Sequence, residues 1–68
     1  MKFYEYMFKQ RDREDPVGDL GTDIWNDPET KSIPNSKKAW EEHIDIRSRD
    51  DKVIDAFEEA WNEYEENL

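Results

Sequence analysis

The sequence of 68 residues contains no cysteine and few residues that interrupt regular structure, with two glycines and three prolines. The missing cysteine excludes disulfide bonds and thiolate zinc sites. No stretch reaches the ~20 consecutive apolar residues of a membrane span, and the N-terminus lacks the continuous apolar core of a signal peptide. We therefore expect a soluble, cytoplasmic protein with no membrane partner.

Basic residues are also scarce. The chain has 10 Lys and Arg against 19 Asp and Glu, which gives a formal net charge of −9. This balance disfavours nucleic acid as a partner, because affinity for phosphate depends on clustered cations. The charge is uneven along the chain: residues 1–13 are mildly basic, whereas residues 50–68 contain eight acids and one lysine.

Apolar residues recur at helical spacing in the first half of the chain. The first predicted helix runs from about Lys2 to Asp12, with an inward face formed by Phe3, Tyr4, Met7 and Phe8. Asp15 is a good N-cap and Pro16 suits the first helical position, so a second helix is expected to begin there. Because a residue before proline is pushed out of the α region, this helix should end before Pro28. Its predicted inward residues are Val17, Leu20, Gly21 and Ile24, with Trp25 at the edge.

Residues 28–35 are predicted to form a loop. Ser36 could cap a third helix that carries Trp40 and Ile44, with Ala39, His43 and Ile46 on a second stripe. Residues 36–68 contain no glycine or proline, so a single long helix is one alternative. The other is a new helix capped by Asp50 or Asp51, since residues 47–52 contain no apolar side chain.

The last helix has the clearest pattern. Its apolar residues fall within an arc of about 120° on the 3.6-residue repeat, and they are Val53, Ile54, Phe57, Ala60, Trp61 and Tyr64. No segment alternates at period two, so no sheet is expected. The sequence predicts an all-α fold, a compact bundle of four to five short helices that forms a single domain over residues 1–68.

No constellation of catalytic residues is evident. His43 is the single histidine and matches no metalloprotease motif, so a structural or solvent-exposed role is favoured. Asp19, Asp23 and Asp27 align on one predicted helix face, which we interpret as solvated because calcium requires a loop that wraps six to eight oxygens around the ion. We therefore predict no enzyme activity, no cofactor and no metal.

Two groups of residues are candidates for binding a partner. Tyr6 and Trp25 lie at the edges of their apolar stripes, where aromatic rings remain partly exposed, and such rings are favoured interface anchors. Arg11 falls inside the apolar arc of the first helix, so it either forms a structural ion pair between helices or binds a ligand or partner. The second group is the acidic outward side of the last helix, with Glu58, Glu59 and Glu63.

Four motifs in order resemble the YozE-like family of small bacterial proteins, which have a fold similar to the sterile alpha motif (SAM). They are Phe3-Tyr4-x-Tyr6 with Lys9 and Arg11, then Asp15-Pro16-Val17-Gly18-Asp19-Leu20, then Ile33-Pro34, and finally Phe57-x-x-Ala60-Trp61-x-x-Tyr64. The stretch from Ile44 to Asp50 departs from the family pattern and looks shorter. The resemblance implies a SAM-like helical bundle; it supplies no function, because fold alone does not transfer one.

Three hypotheses for function follow. The first is a protein-interaction or regulatory module, which is a monomer or associates weakly with itself through its basic and acidic ends. The second is an acidic mimic of nucleic acid that inhibits a DNA- or RNA-handling protein. The third, disfavoured by the net charge, is direct nucleic-acid binding through the first helix and Lys37-Lys38.

Overall fold

The computed structural model describes residues 1–47 and 50–68. Within these residues the chain forms four α-helices and one short 3-10 helix, and it contains no β-strand. The α-helices are α1 (Phe3–Gln10), α2 (Pro16–Asn26), α3 (Lys37–Arg47) and α4 (Asp51–Glu66), and the 3-10 helix (Pro28–Ser32) lies between α2 and α3. The predicted compact all-α architecture is confirmed.

The predicted starts of α2, α3 and α4 are confirmed by their caps. Asp15 accepts a hydrogen bond from the Gly18 N–H at 2.9 Å, and Ser36 accepts one from Ala39 at 3.2 Å. Asp50 has an extended backbone and caps α4 through the Lys52 N–H at 2.9 Å. The extended residue ends any continuous helix, so the alternative of one long helix is wrong. Ser48 and Arg49, in the stretch that departs from the family pattern, lie outside the described residues.

Two element boundaries differ from the predictions. Helix α1 is shorter than expected, because the Gln10 carbonyl accepts a hydrogen bond from the Arg13 N–H in a tight turn. The predicted loop at residues 28–35 contains the 3-10 helix. Asp27 caps it by accepting from the Glu29 N–H at 3.0 Å, and the buried Thr30 hydroxyl donates to the Ile24 and Asp27 carbonyls.

The core is built around the Phe3 ring, which is fully buried. Four other rings surround it with centroid distances of 4.7 to 5.7 Å, from Trp40, Phe57, Trp61 and Tyr64. The remaining buried apolar residues are Met7, Val17, Leu20, Ile24, Ile44, Ala56 and Ala60. Since these come from all four α-helices, the described residues share one core.

Two predictions about burial are only partly correct, and one core residue was not predicted. Tyr4 and Phe8, assigned to the inward face of α1, are half-buried. Ile46, assigned to the second stripe of α3, is 77% exposed, whereas Ala39 and His43 of the same stripe are half-buried. Ala56 is also part of the core. The inward face of α4 is therefore wider than the arc defined by the predicted residues.

Helices α1 and α2 cross closely at Gly21. A Cβ atom added there would lie 2.7 Å from the Met7 carbonyl oxygen, so the contact is between backbones. This approach places the last turn of α2 beside the last turn of α1. No helix among the described residues is long and apolar enough to cross a bilayer.

Candidate functional site

A partly exposed cluster of two rings and a guanidinium lies where α1 and α2 end together. We call Phe8, Arg11 and Trp25 the aromatic–arginine patch. The Phe8 and Trp25 ring centroids are 4.5 Å apart at an interplanar angle of 58°. The guanidinium carbon of Arg11 lies 3.9 Å from the Phe8 centroid and 5.1 Å from that of Trp25. Trp25 remains 45% exposed although it contacts both residues.

The close helix crossing determines the position of this patch. Because Gly21 has no side chain, the backbone of α2 approaches the Met7 carbonyl and the backbone of Arg11. The Thr22 hydroxyl lies 3.2 Å from both the Arg11 carbonyl and the Gly18 carbonyl of its own helix, so its one proton is shared between α2 and the end of α1. Trp25, one turn after Gly21, therefore meets the ring of Phe8.

The surroundings of Arg11 contradict one of its two predicted roles, the structural ion pair between helices. Among the described residues, no carboxylate lies within ion-pair distance of its guanidinium. The expected structural ion pair is therefore wrong, and cation–π contacts with Phe8 and Trp25 take its place. A guanidinium held against an aromatic ring can still donate N–H hydrogen bonds to a carboxylate.

Tyr6 and Glu63, both predicted to bind a partner, form a hydrogen bond with each other. The Tyr6 hydroxyl donates to Glu63 Oε1 at 3.1 Å, and the Arg13 guanidinium donates to the same oxygen at 2.7 Å. Arg13 also forms a 2.7 Å ion pair with Asp15. We call Tyr6, Arg13, Asp15 and Glu63 the polar clamp, because it joins α1 and the start of α2 to α4.

The polar clamp shifts the proton affinities of its members. The hydrogen bonds from Arg13 hold the pKa of Glu63 below its ordinary value. The pKa of Asp15 is also lowered, first by the Gly18 N–H and then by Arg13, whereas burial and Glu63 raise the pKa of Tyr6. Hydrogen bonds to Glu63 and Asp15 raise the pKa of Arg13. These shifts indicate a stabilising network.

Arg13 was missed by sequence reasoning. It lies in the α1–α2 turn, outside any helical repeat, and its partner Glu63 is 50 residues away along the chain. Single-sequence patterns report neighbours on one helix face and contain no signal for such a pair.

The other acidic candidates lie on α4. Glu58 forms a 2.9 Å ion pair with Lys37 of α3, and the hydrogen bond raises the pKa of that lysine. Glu59 is exposed. Of the three predicted acids, Glu58 and Glu63 thus make intramolecular contacts, and Glu59 lies on the outer surface with Asp51 and Asp55.

His43 is half-buried on α3, with Nε2 at 3.0 Å from Asp27 Oδ2. Asp27 was assigned to the solvated face of the second helix together with Asp19 and Asp23. That assignment is wrong for Asp27, which follows the helix and caps the next turn, and it is correct for Asp19 and Asp23, which are exposed. Asp27 does not lie on the same helix face as Asp19 and Asp23, because the backbone becomes extended before Pro28.

The fold that carries the patch and the polar clamp can be compared with known protein families. The chain matches the model of the YozE SAM-like fold family over residues 2–66, which is nearly its whole length. No curated protein and no solved structure matches it. The family match agrees with the four motifs and with the arrangement of helices: the chain belongs to the YozE SAM-like fold family.

Proposed function

We propose that this domain is a non-enzymatic protein-interaction module that contacts its partner through the aromatic–arginine patch. The observation that carries the proposal is the exposure of Trp25 within a preorganised cluster. Tryptophan and arginine are enriched among the residues that contribute most to interfaces. The contacts with Phe8 and Arg11 hold the indole in place, so little side-chain freedom remains to be lost on binding.

The chemistry of the patch favours a partner segment that presents a carboxylate beside an apolar side chain. The apolar group would cover the exposed part of Trp25, and the carboxylate would accept hydrogen bonds from the edge of Arg11. Such a contact is local, and it is compatible with the net charge of −9. Tyr6, Glu58 and Glu63 contribute to the fold in this proposal rather than to the interface.

The test compares Trp25→Ala and Arg11→Met with Ile46→Ala. Ile46 is a suitable control because it is an exposed apolar residue on another helix. A partner is first isolated by affinity capture from the native host and then titrated in purified form by calorimetry. We expect Trp25→Ala to weaken binding by about 30-fold or more, as for an interface hot spot of ~2 kcal/mol, and Ile46→Ala to have no effect.

Arg11→Met separates structure from recognition. Methionine preserves apolar contact with the two rings but removes the charge, so binding should weaken while the melting temperature changes little. Unchanged binding by both Trp25→Ala and Arg11→Met, with both variants folded, would contradict the proposal.

A second candidate, the acidic mimic, is favoured by the outer surface of α4. Asp51, Asp55 and Glu59 are exposed at i, i+4 and i+8, so their carboxylates repeat about every 6 Å along the helix. A mimic should bind a basic nucleic-acid enzyme with an affinity that falls steeply with salt. The double variant Asp55→Asn, Glu59→Gln would then lose binding while Trp25→Ala retains it, the reverse of the pattern expected for the patch.

Self-association through opposite charges is less well supported. Arg13 and Lys37, two of the basic residues available for it, already pair with Glu63 and Glu58 within the molecule. We therefore expect a monomer, and light scattering across protein and salt concentration would check this.

A further inference from the structure

Three side chains with metal-binding atoms converge at the junction of α2, the 3-10 helix and α3. One ligand atom from each of Asp27, Glu29 and His43 lies within 4.8 Å of the other two. The residues are not neighbours on one helix: Asp27 and Glu29 begin the 3-10 helix, and His43 comes from α3. From this geometry we infer that the three residues form a binding site for a divalent transition-metal ion, with zinc as the best match.

Two of the three ligands are already held in place by the fold. One oxygen of Asp27 caps the 3-10 helix by accepting from the Glu29 N–H at 3.0 Å, and the other lies 3.0 Å from His43 Nε2. The imidazole is half-buried, and α3, which carries it, packs against α4. Without a metal this contact is a hydrogen bond from the ring to the carboxylate. Zinc would displace the Nε2 proton, and the two atoms would need to separate only slightly to reach the ~3.3 Å that tetrahedral zinc ligands adopt at bond lengths near 2.0–2.1 Å.

The third ligand, Glu29, lies on the exposed side of the site, and its carboxylate is within 4.8 Å of the other two ligand atoms. The backbone that carries it is fixed by Thr30, which is 2% exposed and donates its hydroxyl proton to two backbone carbonyls. The hydrogen bonds of Thr30 thus fix the backbone on both sides of Asp27 and Glu29, as the hydrogen bonds around other metal sites orient their ligands.

The donor set decides which ion fits. One imidazole nitrogen and two carboxylate oxygens suit zinc and neighbouring transition metals, whereas calcium needs six to eight oxygens and magnesium retains most of its water. Two carboxylates and a neutral imidazole bring two negative charges to a divalent cation. To bind through Nε2, the neutral His43 ring must carry its proton on Nδ1.

An open cavity adjoins two of the three ligands, Asp27 and His43, and leaves room for further coordination. Its volume is about 490 Å³, and its lining includes Asp27, His43, Asp23 and Ile44. Three protein ligands beside open space correspond to the arrangement in which water or an added ligand completes the coordination of zinc. The inferred site therefore binds an accessible ion that also ties the 3-10 helix to α3.

The single histidine makes the site directly observable by nuclear magnetic resonance. Zinc chloride is added to the wild type, His43→Gln, Glu29→Gln and the control Glu42→Gln, whose acid is exposed on α3 beside His43. In the wild type and the control, an equimolar amount of zinc should shift the His43 ring resonances and raise the melting temperature. Magnesium at the same concentration should do neither.

Glu29→Gln should weaken zinc binding by at least about tenfold, since even supporting residues of metal sites contribute 10–100-fold. His43→Gln should abolish the thermal shift. Unmoved ring resonances, or equal zinc affinity in the wild type and Glu29→Gln, would overturn the inference and indicate diffuse binding by surface acids. If His43→Gln does not fold, the ring resonances and Glu29→Gln decide the outcome alone.

Discussion

Helix α1 contributes one phenylalanine to each of two aromatic clusters, and the clusters differ in exposure. Phe3 is fully buried and contacts four rings from α3 and α4. Phe8 is half-buried and contacts Trp25, which is 45% exposed, with Arg11 stacked over both rings. The first cluster removes apolar area from water and stabilises the fold, whereas the second leaves part of that area available.

The difference in exposure between the two clusters indicates which aromatic residues are candidates for function. Both clusters are formed by rings at helical spacing, so residue type does not separate them. They differ in what lies on the far side of the rings: α3 and α4 cover Phe3, whereas solvent reaches the indole of Trp25. The following predictions test whether the first cluster carries stability and the second carries recognition.

The largest effect is expected for Phe3→Ala. Removing a fully buried ring at the centre of the core should lower the free energy of unfolding by about 3–5 kcal/mol. A domain of this size has little more stability than that, so most molecules should be unfolded at room temperature. Chemical denaturation followed by circular dichroism measures the loss. Phe8→Ala is the matched control and should cost clearly less; equal losses would remove the distinction between the clusters.

Gly21→Ala should disturb the crossing on which the aromatic–arginine patch depends. The new Cβ would lie 2.7 Å from the Met7 carbonyl oxygen, so the helices must separate at a cost of about 1–3 kcal/mol. An alanine normally stabilises a helix relative to glycine, so the expected sign is opposite to that of helix propensity. Asp23→Ala, an exposed change on the same helix, serves as the control in thermal unfolding. A stabilised Gly21→Ala variant would contradict the close crossing.

Arg13→Met should test whether the polar clamp stabilises the contact of α1 with α4. We expect a loss of about 1 kcal/mol near neutral pH, because the ion pairs are partly exposed. The pKa of Glu63 is lowered in the folded protein, so its contribution is present above the ordinary value of 4.5 and is lost as pH falls through the lower folded value. The melting temperature of the wild type should therefore fall in acid.

In Arg13→Met this acid-dependent fall should be smaller, since Glu63 loses the partner that lowers its pKa. Lys9→Met is the control, because Lys9 is an exposed cation on α1, four residues before Arg13. Parallel pH profiles for wild type and Arg13→Met would show that the clamp contributes nothing.

The smallest effect on stability is expected for Trp25→Ala, about 0.5 kcal/mol, because much of the ring is exposed. Its fluorescence should nevertheless change markedly. Trp40 and Trp61 are buried, so acrylamide should quench mainly Trp25, and the variant should lose most of the quenchable emission. Trp61→Ala is the matched comparison and should destabilise the protein several times more. A Trp25→Ala loss of similar size would place Trp25 in the core.

The sequence alone determined the helices and most of the core. The 3.6-residue repeat of large apolar residues placed Phe57, Trp61 and Tyr64 inside, and the caps at Asp15, Ser36 and Asp50 marked helix starts, since both signals depend on residues within about one turn. The four motifs led to the family, which the match over residues 2–66 confirmed. Trp25 and Arg11 were identified as unusual from their positions on the helical repeat.

Tertiary structure alone decided which of these residues meet. The contacts of Arg11 with Phe8 and Trp25, of Arg13 with Glu63, and of His43 with Asp27 join residues from different elements. Such pairs depend on how closely the helices approach, and Gly21 sets that distance between α1 and α2. Local patterns determine which side of a helix faces inward, but the crossing geometry determines its neighbours. For this reason Tyr6 and Glu63 became part of the polar clamp, while Trp25 remained exposed.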